Sequence, residues 1–227
     1  LDNFGTSGCD GLPSFLGVFV QRRQRNQRGE GGRLREELIE AAMRILDRSP
    51  ATVLSLRMVA KEAGVAAPSI YAHFTDASHL ASEIVRECWR QMGEEMAQAA
   101  LTVAETDVLG SLQMQLRAYV LYAMERPSRY QLLFAMQPID THESHALPGL
   151  VQPAFRRIRD GLRTLRDGGQ IPVETGTFAL ALHIISLVHG RIALAHLAPW
   201  RPGNDADGIT DFVFGALDRL LPRKRGP

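Results

Sequence analysis

SLRMVAKEAGVAAPSIYAHF, residues 55–74, decides how the rest of the chain is read. Leu56, Val59, Ala60 and Ala63 recur at i, i+3, i+4 and i+7, the spacing of a helix buried along one face. Gly64 follows, a residue that takes φ > 0 without a Cβ penalty and lets a helix stop and turn. Val65 and Ile70 are then placed to return to the core, leaving Ala67, Pro68, Ser69, Tyr71 and His73 outside. Two short helices joined by a tight glycine turn form a helix-turn-helix. Its second helix, small at the tip and polar along its outer face, suits a DNA major groove about 12 Å wide.

The same residues carry a family resemblance. Gly64-Val65, followed by Ser69-Ile70-Tyr71-Ala72-His73-Phe74, resembles the recognition region of TetR-type transcriptional regulators in its turn, its tyrosine and its His-Phe pair. The chain departs from that pattern at two positions. Ala66 stands where a helix-capping serine is frequent, and Ala77 where a lysine often begins the next helix. The segment 185–194, with His189-Gly190, resembles a TetR subgroup whose effector domain has a His-Gly pair in this helix. The likeness spans about residues 33–221, strongest in the first quarter.

Composition agrees with an all-α fold of about nine helices. Of the 227 residues 45% are hydrophobic, enough for a substantial core, and strand-like alternation is scarce beside long runs of Ala, Leu, Arg, Glu and Met. The net charge is only +1. It is unevenly spread, with ten Lys and Arg against six Asp and Glu between Gln21 and Thr75. A basic front end fits contact with nucleic acid. The two cysteines, Cys9 and Cys88, do not suggest a disulfide framework, and a cytoplasmic location is expected. No uninterrupted apolar run reaches the roughly 18 residues of a membrane span, so no membrane association is expected.

Along the chain, residues 1–20 read as a tail without helical period. Residues 21–32 are arginine-rich, and Arg22, Arg23, Arg25, Arg28, Arg33 and Arg35 fall within fifteen positions. This run is either a solvated tail or an arm that follows the DNA backbone or enters the minor groove. The helix-turn-helix domain is expected over 33–79, with a first helix from about Arg33 to Asp47 stopped by Ser49-Pro50. An effector-binding and dimerisation domain is expected over 80–221, and a basic tail over 222–227. A long fourth helix, about 76–104, carries Leu80, Ile84, Cys88, Met92 and Met96 on one stripe and would link the two domains. Helices are further expected over about 107–125, 127–134, 149–167, 173–198 and 206–221, with residues 138–148 the most loop-like interior stretch. The eighth is apolar nearly all round, which implies burial on more than one side. Its small residues Ala179, Ser186, Gly190 and Ala193 leave room for another helix. The last two helices therefore ask for a second copy, forming a homodimer through a four-helix bundle.

The family resemblance implies DNA contacts at Ser55, Arg57, Ala67, Pro68, Ser69, Tyr71 and His73. Ser55 is also suited to cap its helix, and Arg57 to meet a phosphate. Ala67 and Pro68 offer only apolar contact, for example with a thymine methyl. Trp89, Met92, Tyr122, Phe134, Phe155 and His183 are the candidate ligand-binding residues; at helical spacing such residues are core more often than pocket. Hydrolase, nucleotide-binding and zinc-protease motifs are absent, so no enzyme, cofactor or metal is expected. His189 and His196 share a helical face, but seven residues is too long a step for one metal. The expected function is DNA-binding transcriptional regulation as a repressor, on a palindromic operator in double-stranded DNA, released by a small, apolar effector. The alternative is a helical ligand carrier or interaction module whose helix-turn-helix is only structural.

Overall fold

The computed structural model describes residues 31–49, 53–134 and 147–221. Among them are nine helices and no strand: α1 (Gly31–Arg48), α2 (Leu56–Glu62), α3 (Ala67–Ile70), α4 (Ala77–Ala100), α5 (Val108–Glu125), α6 (Pro127–Phe134), α7 (Leu147–Asp167), α8 (Thr177–Leu197) and α9 (Ala206–Leu220). The tails at 1–20 and 222–227, residues 21–30 of the arginine-rich run, Pro50 and residues 138–146 of the expected loop lie outside the described residues.

Two apolar cores organise these helices. The first gathers Leu38, Ala42 and Leu46 of α1 with Val59 and Ala60 of α2, Ile70 of α3, Phe74, and Leu80, Ile84 and Cys88 of α4. The second gathers Val85, Trp89, Met92 and Met96 of α4 with α5, Tyr130 of α6, and the inner faces of α7, α8 and α9. The seam between them runs along α4, whose first three turns belong to the first core. The stripe of Leu80, Ile84, Cys88, Met92 and Met96 is buried throughout. A side chain every four residues drifts slowly round a helix of 3.6 residues per turn, so one stripe serves both cores in succession.

Local chemistry sets the helix ends. Asp76, Asp107 and Asp205 each cap a helix, accepting from the amides of His79, Gly110 and Gly208; such caps satisfy orphan donors of the first turn. α4 stops at Ala100, short of the expected Ala104. There the amides of Leu101 and Thr102 bond back three residues to Gln98 and Ala99, and the Thr102 hydroxyl also donates to the Ala99 carbonyl. α8 begins at Thr177 instead of 173, because residues 172–175 close a turn with the Thr175 amide on the Pro172 carbonyl. At the α8–α9 connection a Cβ on Gly208 would lie 2.6 Å from the Gly203 Cα, so only glycine fits.

Within one protomer the eighth helix is covered on one side only. Phe178, Leu182, Leu194 and Leu197 are all at least half exposed, because α5, α7 and α9 pack on one side of it. Phe212 of α9 likewise faces out, under the Arg191 guanidinium. By length and composition alone α8, with mean hydropathy 1.7 over its best window, is also apolar enough to cross a membrane. Arg191 and three histidines interrupt its sequence, and the second core holds its inner face.

Glu83 ties the front unit together. Its carboxylate, 10% exposed, receives Arg35 of α1 at 2.6 Å and also Arg86, while the Arg35 guanidinium sits 5.4 Å over the Phe74 ring. Burial alone would raise the Glu83 carboxyl, but the hydrogen bonds from Arg35 and Arg86 outweigh it and hold the group below its ordinary value of 4.5. The folded state therefore binds this proton less readily than the unfolded chain, and the resulting stability is complete above the ordinary value and is lost as pH falls through the lowered one. Glu83→Gln is expected to cost about 1–3 kcal/mol at neutral pH. Denaturant titrations over a pH series should show the gap to wild type closing only in the acid range; a gap constant with pH would refute the role of the charge.

Candidate nucleic-acid interface and ligand site

α2 and α3 meet through a Schellman turn. The Gly64 amide bonds the Lys61 carbonyl at 3.1 Å and the Val65 amide bonds the Ala60 carbonyl at 2.9 Å, with Gly64 at φ 69°. This pairing uses carbonyls that the end of α2 leaves open. Ser55 caps α2 by accepting from the Met58 amide at 3.3 Å. At the start of α3, Ala66 supplies no side-chain cap, as its departure from the family pattern implies. The four-residue α3 is held instead by burial of Ile70 and Phe74, both inaccessible, with Phe74 edge-on to His79 at 5.6 Å.

With Ile70 and Phe74 turned inward, the residues between them and before them face outward. Tyr71 is 53% exposed, Pro68 and Arg57 are exposed, and Ala67, Ser69 and His73 are half-buried. Arg57 makes no ion pair with a described residue, whereas Arg44 and Arg48 are taken up by Glu62. The structure thus gathers Ser55, Arg57, Ala67, Pro68, Ser69, Tyr71 and His73 at the α2–α3 end of the front unit. Among the described residues of this set Arg57 is the cation without an ion pair, and it stands beside several small or apolar groups and few hydrogen-bond donors.

The second site is interior and aromatic. Phe134 packs against Trp89 (5.5 Å between ring centroids), Tyr130 (4.9 Å) and His189 (4.1 Å). Tyr130 lies at the centre of a polar chain, with its hydroxyl 3.0 Å from the Tyr119 hydroxyl and 2.6 Å from His189 Nδ1. The His196 ring also meets Tyr130, edge-on at 5.7 Å, and its Nε2 is 3.2 Å from the Ala123 carbonyl. Burial pushes the Tyr119 phenol up to about 12 against the opposing hydrogen bond from Tyr130, and raises Tyr130 as well. Burial lowers both histidines below the ordinary value, with the His196 charge a second cause at His189. Near neutral pH the group is therefore an uncharged relay within an apolar surround.

Of the expected ligand residues, Trp89, Met92 and Tyr122 are buried and Phe134 half-buried at this interior. Phe155 packs half-buried against the margin of the same core, with the Phe178 ring 5.3 Å away. His183 does not join them: it is exposed on the outer face of α8. The inward positions of that helix are taken by Ala181, Ile184, Val188 and Ile192, with His189 and His196 beside them. Tyr130 was not among the expected ligand residues. The shared helical face of His189 and His196 was visible in the sequence, but their aromatic partner 59 residues upstream of His189 was not. Elsewhere a groove of about 340 Å³ between α1 and α4 is lined by Glu36, Ile39, Glu40, Glu87 and Arg90, a charged setting unlike the aromatic interior.

An exposed helix-turn-helix face, joined by one long helix to a separate helical domain with an aromatic interior, defines a DNA-binding transcription regulator with its own ligand-binding domain. The sequence profile of bacterial regulatory proteins of the tetR family matches residues 38–84, and that of the tetracyclin repressor-like C-terminal domain matches residues 112–217; the chain belongs to the TetR family. Three solved structures illustrate the shared fold. The fatty acid degradation regulator FadR from Bacillus halodurans superposes with a TM-score of 0.67 at 13% identity, over 89% of this chain and 100% of that one. NalD, the secondary repressor of the MexAB-OprM multidrug efflux pump in Pseudomonas aeruginosa, gives 0.62 at 16%, over 86% and 98%. SmeT in complex with triclosan gives 0.59 at 19%, over 85% and 96%.

Tyr122 is fully buried and its hydroxyl has no hydrogen-bond partner among the described residues, as is also true of the Gln115 amide oxygen one face-repeat earlier on α5. The neighbouring Cys88 thiol, itself raised to about 11 by burial, is a poor substitute. An unsatisfied buried hydroxyl costs about 1–3 kcal/mol. Tyr122→Phe is accordingly expected to raise the melting temperature, by roughly 2–4 °C for each kcal/mol recovered in a chain of this size. Calorimetry of the purified variant tests this, and a lowered melting temperature would show that the hydroxyl is satisfied after all.

Proposed function

We propose that the protein is a homodimeric repressor that binds a palindromic operator and is released from it by a small, predominantly apolar effector held in the second core. The observation that carries this reading is the sharing of α4. The helix that buries Leu80, Ile84 and Cys88 beneath the DNA-reading face also presents Trp89 and Met92 to the aromatic interior. A molecule that prefers one arrangement of that interior shifts the population of DNA-reading orientations. Trp89, Met92, Tyr122, Phe134 and Phe155 are the proposed effector contacts. The orphan oxygens of Tyr122 and Gln115 favour an effector with at least one hydrogen-bonding group on an apolar body. A triclosan complex of SmeT and a neighbour that regulates fatty acid degradation support an apolar ligand.

The second copy is proposed to cover the uncovered side of α8 together with α9. Phe178, Leu182, Leu194 and Leu197 are exposed there along with the small Ala179, Ser186 and Ala193, a combination that lets helix backbones approach while burying apolar surface. His183 falls on this face. A two-fold dimer sets its reading helices about 34–36 Å apart or at a multiple of that, which is how a four-residue α3 with few donors acquires specificity.

Operator DNA selected from a random pool gives the direct test; absence of salt-dependent binding by the purified protein would end this reading. With that DNA, Arg57→Ala should weaken binding and reduce the salt slope by about 0.9, the value for one lost phosphate contact. Tyr71→Ala with His73→Ala should weaken it roughly tenfold while changing the slope less than Arg57→Ala does, since neither is a lysine or arginine. Anisotropy titrations over a salt series separate the two, and unaltered affinity would remove the residue concerned from the interface. Leu194→Arg should yield a folded monomer in sedimentation that no longer binds the operator; a persistent dimer would place the interface elsewhere.

A further inference from the structure

α6 has eight residues, and two consecutive ones serve different cores. Tyr130 turns to α5 and α8, where it meets Tyr119 and His189. Arg129 turns to α1 and α4. Its Nε donates to one carboxylate oxygen of Asp47 at 2.8 Å and its Nη2 to the other at 2.5 Å, while Nη1 donates to Gln91 Oε1 at 3.1 Å. The Arg129 side chain is only 15% exposed. Leu132 and Leu133 of the same helix pack against both cores. A two-pronged guanidinium–carboxylate pair is directional, so it follows a small displacement of its helix or breaks.

We propose that Arg129 is the positioning residue that sets the orientation of the DNA-reading unit, by clasping the end of α1 to the helix that borders the aromatic interior. This inference rests on the regulator reading above. Displacement of Tyr130, Phe134 or His189 by a ligand moves α6, and residue 129 passes that movement to Asp47 and so to α1. Neither Arg129 nor Asp47 lies among the proposed DNA contacts. Their effect on operator affinity comes through orientation, which they hold in the reading geometry.

The test uses the full-length protein and operator DNA selected from a random pool. Arg129→Met and Asp47→Asn remove opposite charges, so a purely long-range electrostatic effect would weaken binding in the first and strengthen it in the second. Loss of the clasp should weaken both, by roughly tenfold, within the usual range of coupling between sites. The double variant should be no weaker than the weaker single, because both changes remove the same pair. A spin label at Lys61→Cys, in a Cys9→Ser background, should report a broader distance distribution between the two copies in either variant. If Arg129→Met proves unstable, Asp47→Asn decides alone through affinity and distance. Opposite or additive affinity changes, or distances identical to wild type, overturn the proposal. Failure of the unaltered protein to bind any selected DNA removes the regulator reading, and this proposal with it.

Discussion

One helix cannot be buried on two fronts without making those fronts mechanically continuous. α4 meets that constraint by drift. Its inward side chains rotate slowly round the helix axis, so Ile84 and Cys88 lie in the front core while Trp89 and Met92 lie in the rear one. Dense packing keeps side chains in fixed mutual positions, and the two cores are therefore joined by a continuous stretch of packed α-helix. Arg129, reaching from α6 to Asp47 and Gln91, adds a polar link beside the apolar one. The pairing of Arg35 with Glu83 closes the far side of the front unit.

The rear domain is organised by a different balance. Its interior holds more polar groups than an apolar core requires, and most are satisfied by one another. Tyr119, Tyr130 and His189 form a chain of hydrogen bonds, and His196 reaches a carbonyl of α5. Buried polar groups cost stability unless paired, so this chain fixes the mutual placement of α5, α6 and α8 more tightly than apolar contact would. Among the described residues the two atoms left over, on Gln115 and Tyr122, both belong to α5.

Much of this was legible in the sequence because periodicity and capping are local. The spacing of Leu56, Val59, Ala60 and Ala63, with Gly64 after them, gave the helix-turn-helix, and Ser55 was read as suited to cap its helix. The all-round apolar character of α8 was read as a need for cover, but sequence pattern does not distinguish cover by the same chain from cover by another. Contacts between distant residues were not legible. Arg129 and Asp47 are 82 residues apart, and an arginine on a short helix looks like any solvated arginine until the helices are placed. His183 and His189 likewise carry equal weight in a sequence. Six residues apart, they sit on different sides of one helix, His183 exposed and His189 against Tyr130 and Phe134.

The recognition helix has no side-chain cap and spans four residues, and its order is lent by Ile70 and Phe74 from beneath. The outward positions Pro68, Ser69 and Tyr71 consequently contribute little to folding. On the proposed reading, in which these residues face DNA, substitutions there can accumulate with small thermodynamic penalty while the preferred DNA sequence changes. Over evolutionary time, target preference on this scaffold is free to diverge with little effect on stability, with the inward pair Ile70 and Phe74 as the fixed points.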